Sequence, residues 1–495
     1  MRLLLILALS AGAQALPVQT EQHNHSSPEK LGTVSFATSC RPEVQQDFNR
    51  GVALLHSFDY AVAENMFKRV AEQDAQCAMA HWGVAMSYFH ELWEPAIAPN
   101  KFSAGQHEIV MAKQCKACSD RERKFIYALG LIYEDDDTAE YPTRARSYQK
   151  AMDEVAADNK KDAEAQVFYA LALLANASPA DKTHTNQKEA AEILEPLFRA
   201  YPQHPGIPHY LIHAYDNAEM ASRGMTAAKE YSRIAAGAPH ALHMPSHIFT
   251  RLGLWEEAIA SNVAAKSAAH RQGDSGEELH SMDYLMHAYL QLGRAEEAAA
   301  LVRQVDGMAG LNVADFKIAY AATAIPVRYA VERSQWAEAI KAVDPAGAPP
   351  QVMAIAVWAR GLGMSRSGNA AEARAEAERL RQIASQLRES GNQYWGTQVG
   401  IMAREVLGWS AQAENNPSEA TAMLRAAADE EDALEKLPVT PGPILPAREQ
   451  LGRVLLEQGH AEQAAKEFAT ALANSPGRRG AMRGAAEANA LAGRQ

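Results

Sequence analysis

The sequence predicts an all-α chain, a solenoid of paired helices, and three observations carry that expectation. Apolar residues recur at helical spacing and no stretch reads convincingly as a strand. A 34-residue pattern of small, aromatic and turn-forming residues returns several times. An alanine-rich composition with 7% aromatics favours helices packed closely through small side chains. The 495 residues are 47% hydrophobic and 22% charged, which excludes a disordered, collagen-like or polytopic membrane chain. Lys and Arg number 48 against 60 Asp and Glu, and the net charge of −12 repels nucleic-acid backbones, so no nucleic acid is expected as a partner.

From the N-terminus, residues 1–15 combine Arg2, an apolar run from Leu3 to Ala13 and the small-x-small triplet Ala13-Gln14-Ala15. This is the pattern of a secretory signal peptide cut after Ala15, and the run is too short to span a bilayer. The expected compartment is periplasmic or secreted, with no membrane span after signal removal. Residues 16–36, with Pro17, His23, His25 and Pro28, read as a flexible tether. The four cysteines then fit two disulfides in an oxidising compartment. Cys40 and Cys77 each precede a predicted helix in consecutive repeats and are expected to pair. Cys115 and Cys118 form a Cys-x-x-Cys, read as a structural staple, with redox or metal-binding use as the alternative.

The repeat is clearest near the C-terminus, where Leu451, Gly452, Leu455, Gly459, Ala464, Phe468, Ala471 and Pro476 occupy the close-approach, turn and stop positions of a helix-turn-helix unit. The frame returns as Gly51, Leu54, Phe58, Ala63 and Phe67, as Ser246, Phe249, Gly253 and Ala258, and as Tyr289, Gly293 and Ala298. These residues resemble the tetratricopeptide repeat (TPR), which implies a right-handed superhelical solenoid of TPR-like helix-turn-helix repeats. Residues 37–305 are expected to form a degenerate TPR solenoid and 306–495 C-terminal TPR-like repeats. The segment from Pro438 to Pro446 carries four prolines and cannot be helical throughout. It reads either as a lid over the hollow face or as a rigid spacer before the last repeat.

The TPR resemblance also implies which positions of each first helix face the concave side: the second, fifth, ninth, twelfth and thirteenth. With Gly253 and Ala258 setting the frame, three of these are His240, His243 and His247; with Gly293 and Ala298, they are His280, Asp283 and His287. An offset of 34 residues back adds His209, His213 and Asp216. Such positions stack on one helix face. With 17 histidines in 495 residues, twelve such positions should hold about 0.4 by chance, yet seven are histidine.

Neutral imidazole with carboxylate is the ligand set of zinc, copper or iron, and a His pair four residues apart is a natural chelate. The nine residues are therefore candidate transition-metal ligands, enough for two metals or for one with supporting histidines. The alternative is a hydrogen-bonded polar seam that grips a peptide or carboxylate ligand. Asn262 is a candidate orienter of His247, and His204 a possible extra ligand. His56 and His90 read as capped or solvated, and Trp255 as packing between repeats.

The stretches "HPGIPHYLIHAYD" and "PHALHMPSHIFTRLGLW" resemble a family of exported bacterial TPR proteins with a HALHMPSHIF-type motif, from about Cys40 to His287. The resemblance implies fold and export and supplies no substrate. Two functions follow as expectations. One is an exported metalloprotein for storage, delivery or chemistry; in the last case an open metal position would activate water or dioxygen, with Asp216, Asp283 or Tyr215 moving protons. The other is a scaffold that binds a peptide or protein partner in its concave groove without metal. The residues leave open whether the chain is an enzyme.

Overall fold

A computed structural model describes residues 30–92, 97–134 and 141–493. The expected signal peptide and residues 16–29 of the expected tether lie outside the described residues. Residues 30–36 are packed, which departs from the tether reading. Phe36 is fully buried among Phe48, Trp82 and Phe125, Thr33 N–H donates to the Gln203 carbonyl, and the Lys30 carbonyl accepts from Gly237. Burial of Leu31, Val34 and Phe36, together with the backbone bonds to Gln203 and Gly237, offsets the freedom that the segment loses.

Among the described residues every regular element is helical, and successive helices pack as neighbours. Gln45–His56 pairs with Tyr60–Gln73, Trp255–Gln272 with Ser275–Leu292, and Ala447–Glu457 with Ala461–Asn474. The turn glycines behave as the repeat demands. Gly253, Gly293 and Gly459 have φ of +70°, +72° and +83°, a region costly for residues with a Cβ. Gly253 has a second reason to lack a side chain, since a Cβ there would lie 2.4 Å from the Pro476 carbonyl oxygen.

That contact belongs to a closure of the solenoid on itself. Trp255 Nε1 donates to the Gly477 carbonyl and Arg479 N–H to Gln291 Oε1, so the last repeat seats against the middle ones. Two hydrophobic cores, one running from Leu31 to Ile325 and one from Ala319 to Ala488, meet at the Phe316–Glu332 helix.

Cys40 pairs with Cys77 and Cys115 with Cys118. The first bridge closes a separation of 37 residues, and on loop-closure entropy its removal costs about 4 kcal/mol. The double variant Cys40→Ser with Cys77→Ser is expected to show a urea midpoint lowered to match, whereas an unchanged midpoint would mean that the bridge constrains little. No helix among the described residues is long and apolar enough to cross a membrane.

Candidate metal centre

Six histidines from neighbouring repeats meet on the concave side. His209 and His213 lie on Gly206–Tyr215, His240 and His243 on Pro239–His243, His247 on Pro245–Arg251 and His280 on Ser275–Leu292. Pro239 and Pro245 each open a helix, where a missing N–H costs nothing. Met244 between them keeps helical φ and ψ of −53° and −35°, so His243 and His247 stay one turn apart across the junction. At Gly206 a Cβ would lie 2.7 Å from the His56 ring, so glycine admits the close approach of the first repeat.

The six side chains form two triads. In the first, His209 Nε2 lies 3.1 Å from His213 Nε2 and 3.2 Å from His240 Nε2. In the second, His243 Nε2 lies 3.0 Å from His247 Nε2, with the His280 ring 4.3 Å from that of His243. Within each triad one nitrogen per residue falls within 4.8 Å of the other two. The triads abut, with ring centroids 5.9 Å apart at His240 and His243 and 6.0 Å apart at His213 and His247. Every one of the six is buried except His213, which is half-buried and marks the open side.

Counting protons in the second triad shows what the pair of nitrogens lacks. His243 Nδ1 is 2.6 Å from Asn262 Oδ1, and the Asn262 amide nitrogen donates to the Ala258 carbonyl, so the facing oxygen can only accept. His247 Nδ1 is 2.8 Å from the Asp216 carboxylate. Both rings therefore carry their proton on Nδ1, and two Nε2 lone pairs confront each other at 3.0 Å. Only a proton or a metal cation between them makes that contact favourable. Two nitrogens bound to one tetrahedral ion at the usual distances are about 3.3 Å apart, close to what is found. In the first triad His209 Nδ1 likewise donates to the His56 carbonyl, at 2.6 Å.

Electrostatics disfavour the proton. Burial, reinforced by neighbouring imidazoles, holds His209, His213, His243 and His280 well below the usual histidine range. Burial also takes His247 down to about 4, although Asp216 pulls the other way. Burial would raise the Asp216 carboxyl, but Lys436 and Arg251 more than compensate and hold it well below its ordinary value. At neutral pH His209, His213, His243, His247 and His280 are neutral imidazoles, and the Asn262 amide and the ionised Asp216 carboxylate stand behind His243 and His247, the arrangement that fixes and polarises metal ligands.

A third buried group makes the contrast. His56 Nε2 and His204 Nε2 each donate to one oxygen of Glu164 at 2.9 Å, and Tyr210 O–H donates to His56 Nδ1. Here donors meet acceptors and no cation is called for. His56 is thus buried and bonded, which corrects the expectation of a capped or solvated residue, and His204 is tied to Glu164, away from the triads.

Three of the nine candidates stand apart from the two triads. Asp216 bonds His247 Nδ1, Arg251 Nε and Lys436 Nζ, each at 2.8 Å, and so orients a ligand from behind. Asp283 is paired with Arg328 at 3.1 Å, both fully buried. His287 turns toward Trp255, ring centroids 5.4 Å apart. The two residues extend the same helix face as His280, but Arg328, which also donates to the Gly442 and Pro443 carbonyls, engages Asp283 there, and Trp255 packs against His287. Asn262 serves His243, where His247 was expected; the two histidines sit one turn apart, and the frame alone did not separate them.

Sequence reasoning missed several participants. Glu277 lies 3.3 Å from His240 Nδ1, and its position one turn before His280 on the same face was a usable signal. Phe58 occupies a turn position where other repeats have glycine, at φ +54°, and lays its ring 4.4 Å from that of His209. Lys436 and Tyr284 had no spacing signal at all, whereas the segment Pro438–Pro446 was marked by its prolines. That segment lies over the concave face: the Pro438 and Thr440 carbonyls face Tyr284 O–H at 3.1 Å, and the Gly442 and Pro443 carbonyls accept from Arg328. Tyr284 in turn packs against His243 and His247, centroids 4.7 and 5.0 Å away. The proline segment is a cover, the lid reading rather than the spacer.

No protein-family model matches the chain, and no curated protein sequence does. Among solved structures, the chain is similar to the TPR domain of P58(IPK), at 13% identity over 91% of this chain and 99% of that one, with a TM-score of 0.23. It is similar to yeast Tom70 at 12% identity, covering 91% and 88%, with a TM-score of 0.28. The Cut9-Hcn1 hetero-tetramer of APC/C gives 10% identity, coverage of 90% and 90%, and a TM-score of 0.31. Scores this low carry no argument about activity; the TPR-like architecture rests on the helix pairing and turn geometry described above.

Proposed function

We propose that the chain is an exported metalloprotein that holds two transition-metal ions side by side, one in the His209, His213, His240 triad and one in the His243, His247, His280 triad. The observation that carries this reading is the pair of Nε2 lone pairs of His243 and His247 facing each other at 3.0 Å, with both Nδ1 atoms committed elsewhere. The ligand sets are all imidazole and no carboxylate reaches between them, which favours copper or zinc over iron. Three ligands per ion leave a coordination position open, the form of catalytic rather than closed structural sites. The disulfides support a periplasmic or secreted setting.

A TPR-like solenoid also supports a protein-binding role. Against a peptide in this stretch of groove stands the proline cover, which already occupies the concave face over Tyr284. Elemental analysis of untagged protein separates the readings. Two ions per chain are expected, falling to one in His213→Ala and to one in His247→Ala. Metal-free protein that takes up neither copper nor zinc on titration would overturn the metal reading and leave the scaffold.

A further inference from the structure

Between the cover at Thr440–Pro446 and the inner helices of the C-terminal repeats lies a partly open concavity of about 170 Å³. Tyr320, Trp358, Tyr394 and Trp395 line it, together with Glu405 and Glu431. We propose that this concavity is a binding site for a small organic cation, a primary ammonium group on a short hydrocarbon body.

The walls are short of positive charge. Five cations line the space and each is paired with a carboxylate: Lys182 and Arg251 with Glu435, Lys436 with Asp216, Arg448 with Asp432 and Arg478 with Glu449. Glu435 and Asp432 are thereby used. Glu405 and Glu431 form no ion pair among the described residues, so two of the four lining carboxylates lack a counter-charge. A buried carboxylate alone is costly to ionise, and a cation that enters beside it offsets that cost.

Hydrogen bonding prepares both groups to be anions. Glu405 is 2% exposed, and its two oxygens accept from Trp358 Nε1 and Gln450 Nε2, at 2.6 Å each. The Gln450 oxygen accepts from Trp409 Nε1 at 2.8 Å, which turns the amide nitrogen to Glu405. Glu431 Oε2 accepts from Ala447 N–H at 2.8 Å, at the start of the Ala447–Glu457 helix, where the dipole favours negative charge. Among the described residues each carboxyl meets only donors, the pattern of an ionised acceptor. Burial works against that state. It raises Glu405 well above the ordinary carboxylate range, with Glu431 adding to the rise. It takes Glu431 up to about 8, with Asp432 adding to the rise and Arg478 and Arg448 pulling down. The empty site therefore holds protons at neutral pH, and an entering cation displaces them.

The aromatic walls select the kind of cation. A metal ion seeks several oxygen ligands, and ring faces supply none. An ammonium group is attracted to ring faces while it donates to carboxylates, and its hydrocarbon body lies against the same rings. The Tyr394 and Trp395 centroids are 5.3 Å apart and those of Tyr320 and Trp395 5.9 Å, so ring surface is continuous along this wall. A space near the ~150 Å³ that takes up benzene suits a body of about four to six carbon atoms. The site requires no metal, so metal-stripped protein tests it apart from the metal reading.

The experiment titrates metal-stripped full-length protein with butylamine, 1-butanol and butyrate, which share a chain and differ in charge, following calorimetric heat and tryptophan fluorescence. Saturable butylamine binding is expected, at least about tenfold tighter than butanol, the worth of one charge-assisted hydrogen bond, with no binding of butyrate. Affinity for the amine is expected to tighten from about pH 6 to about pH 9, because the two carboxyls ionise across that range while an alkylamine, like lysine, keeps its charge. Glu405→Gln and Glu431→Gln are each expected to weaken butylamine at least about tenfold and to leave butanol unchanged, with thermal melts confirming the fold. The comparison of amine with alcohol on the parent protein decides the matter should either variant fail to fold. Equal affinity for butylamine and butanol, no saturation by the amine, amine affinity that falls as pH rises, or undiminished amine binding in both folded variants would each overturn the proposal.

Discussion

Asp216→Ala is expected to destabilise the chain by about 3 to 5 kcal/mol, the cost of leaving a buried ion network without its counter-charge. The Asp216 carboxylate is 6% exposed and receives His247 Nδ1–H, Arg251 Nε–H and Lys436 Nζ–H, each at 2.8 Å. Lys436 is 7% exposed and, among the described residues, forms no second ion pair, while Arg251 keeps Glu435 at 3.4 Å. Burial already draws the Lys436 ammonium down to about 8, and Asp216 is what keeps it charged at neutral pH. Lys436→Met in the same chain should therefore recover part of the loss, a coupling that a double-mutant cycle in urea measures directly. Additive losses would show that the two residues do not act as a pair. The same Asp216→Ala protein should bind metal in the His247 triad about 10- to 100-fold more weakly, because the ring loses the acceptor that sets its tautomer.

Metal-stripped protein is expected to lose stability steeply as pH falls from about 6.5 to about 4. In the folded chain His247 titrates near 4, against an ordinary 6.5, so between these values the unfolded chain binds more protons than the folded one. Stability then rises with pH across that window and is lost on acidification. At 1.36 kcal/mol per pKa unit, His247 alone accounts for about 3 kcal/mol. His209, His213, His243, His280 and His287 are displaced in the same direction by burial and act in the same sense. Asp216 and Glu277, held below their usual range by paired cations, add their losses at lower pH still. With copper or zinc bound, the ions compete with these protons and should shift the midpoint of the loss downward. Melting temperature measured from pH 8 to pH 4 at constant ionic strength checks this; a flat profile for the stripped protein would contradict neutral, buried imidazoles.

The helical repeat could be read in the chain because its markers are local. Gly253 and Gly293 turn with positive φ wherever the helix pair must reverse, and positions three and four residues apart share a face whatever the neighbours do. That is why His209, His213, His240, His243, His247 and His280 could be placed on one wall of the groove from their spacing together with the concave positions that the TPR resemblance implies. The same rule carried Asp283 and His287 too far, since a continuing face does not reveal which distant residues fill the groove. Arg328, 45 residues beyond Asp283, claims that carboxylate, and the approach of Trp255 claims the next turn.

Which nitrogen of each ring holds its proton is a matter of partners remote in the chain. Asn262 is 19 residues from His243, Asp216 is 31 from His247, and Lys436 is 220 from Asp216. The proline cover reaches Tyr284 across more than 150 residues. Periodicity puts a side chain on a wall because each helix turn repeats the last. Tautomer, pairing and closure arise only once the superhelix has brought distant turns within hydrogen-bond distance, since short-range forces between side chains carry no trace in residue spacing.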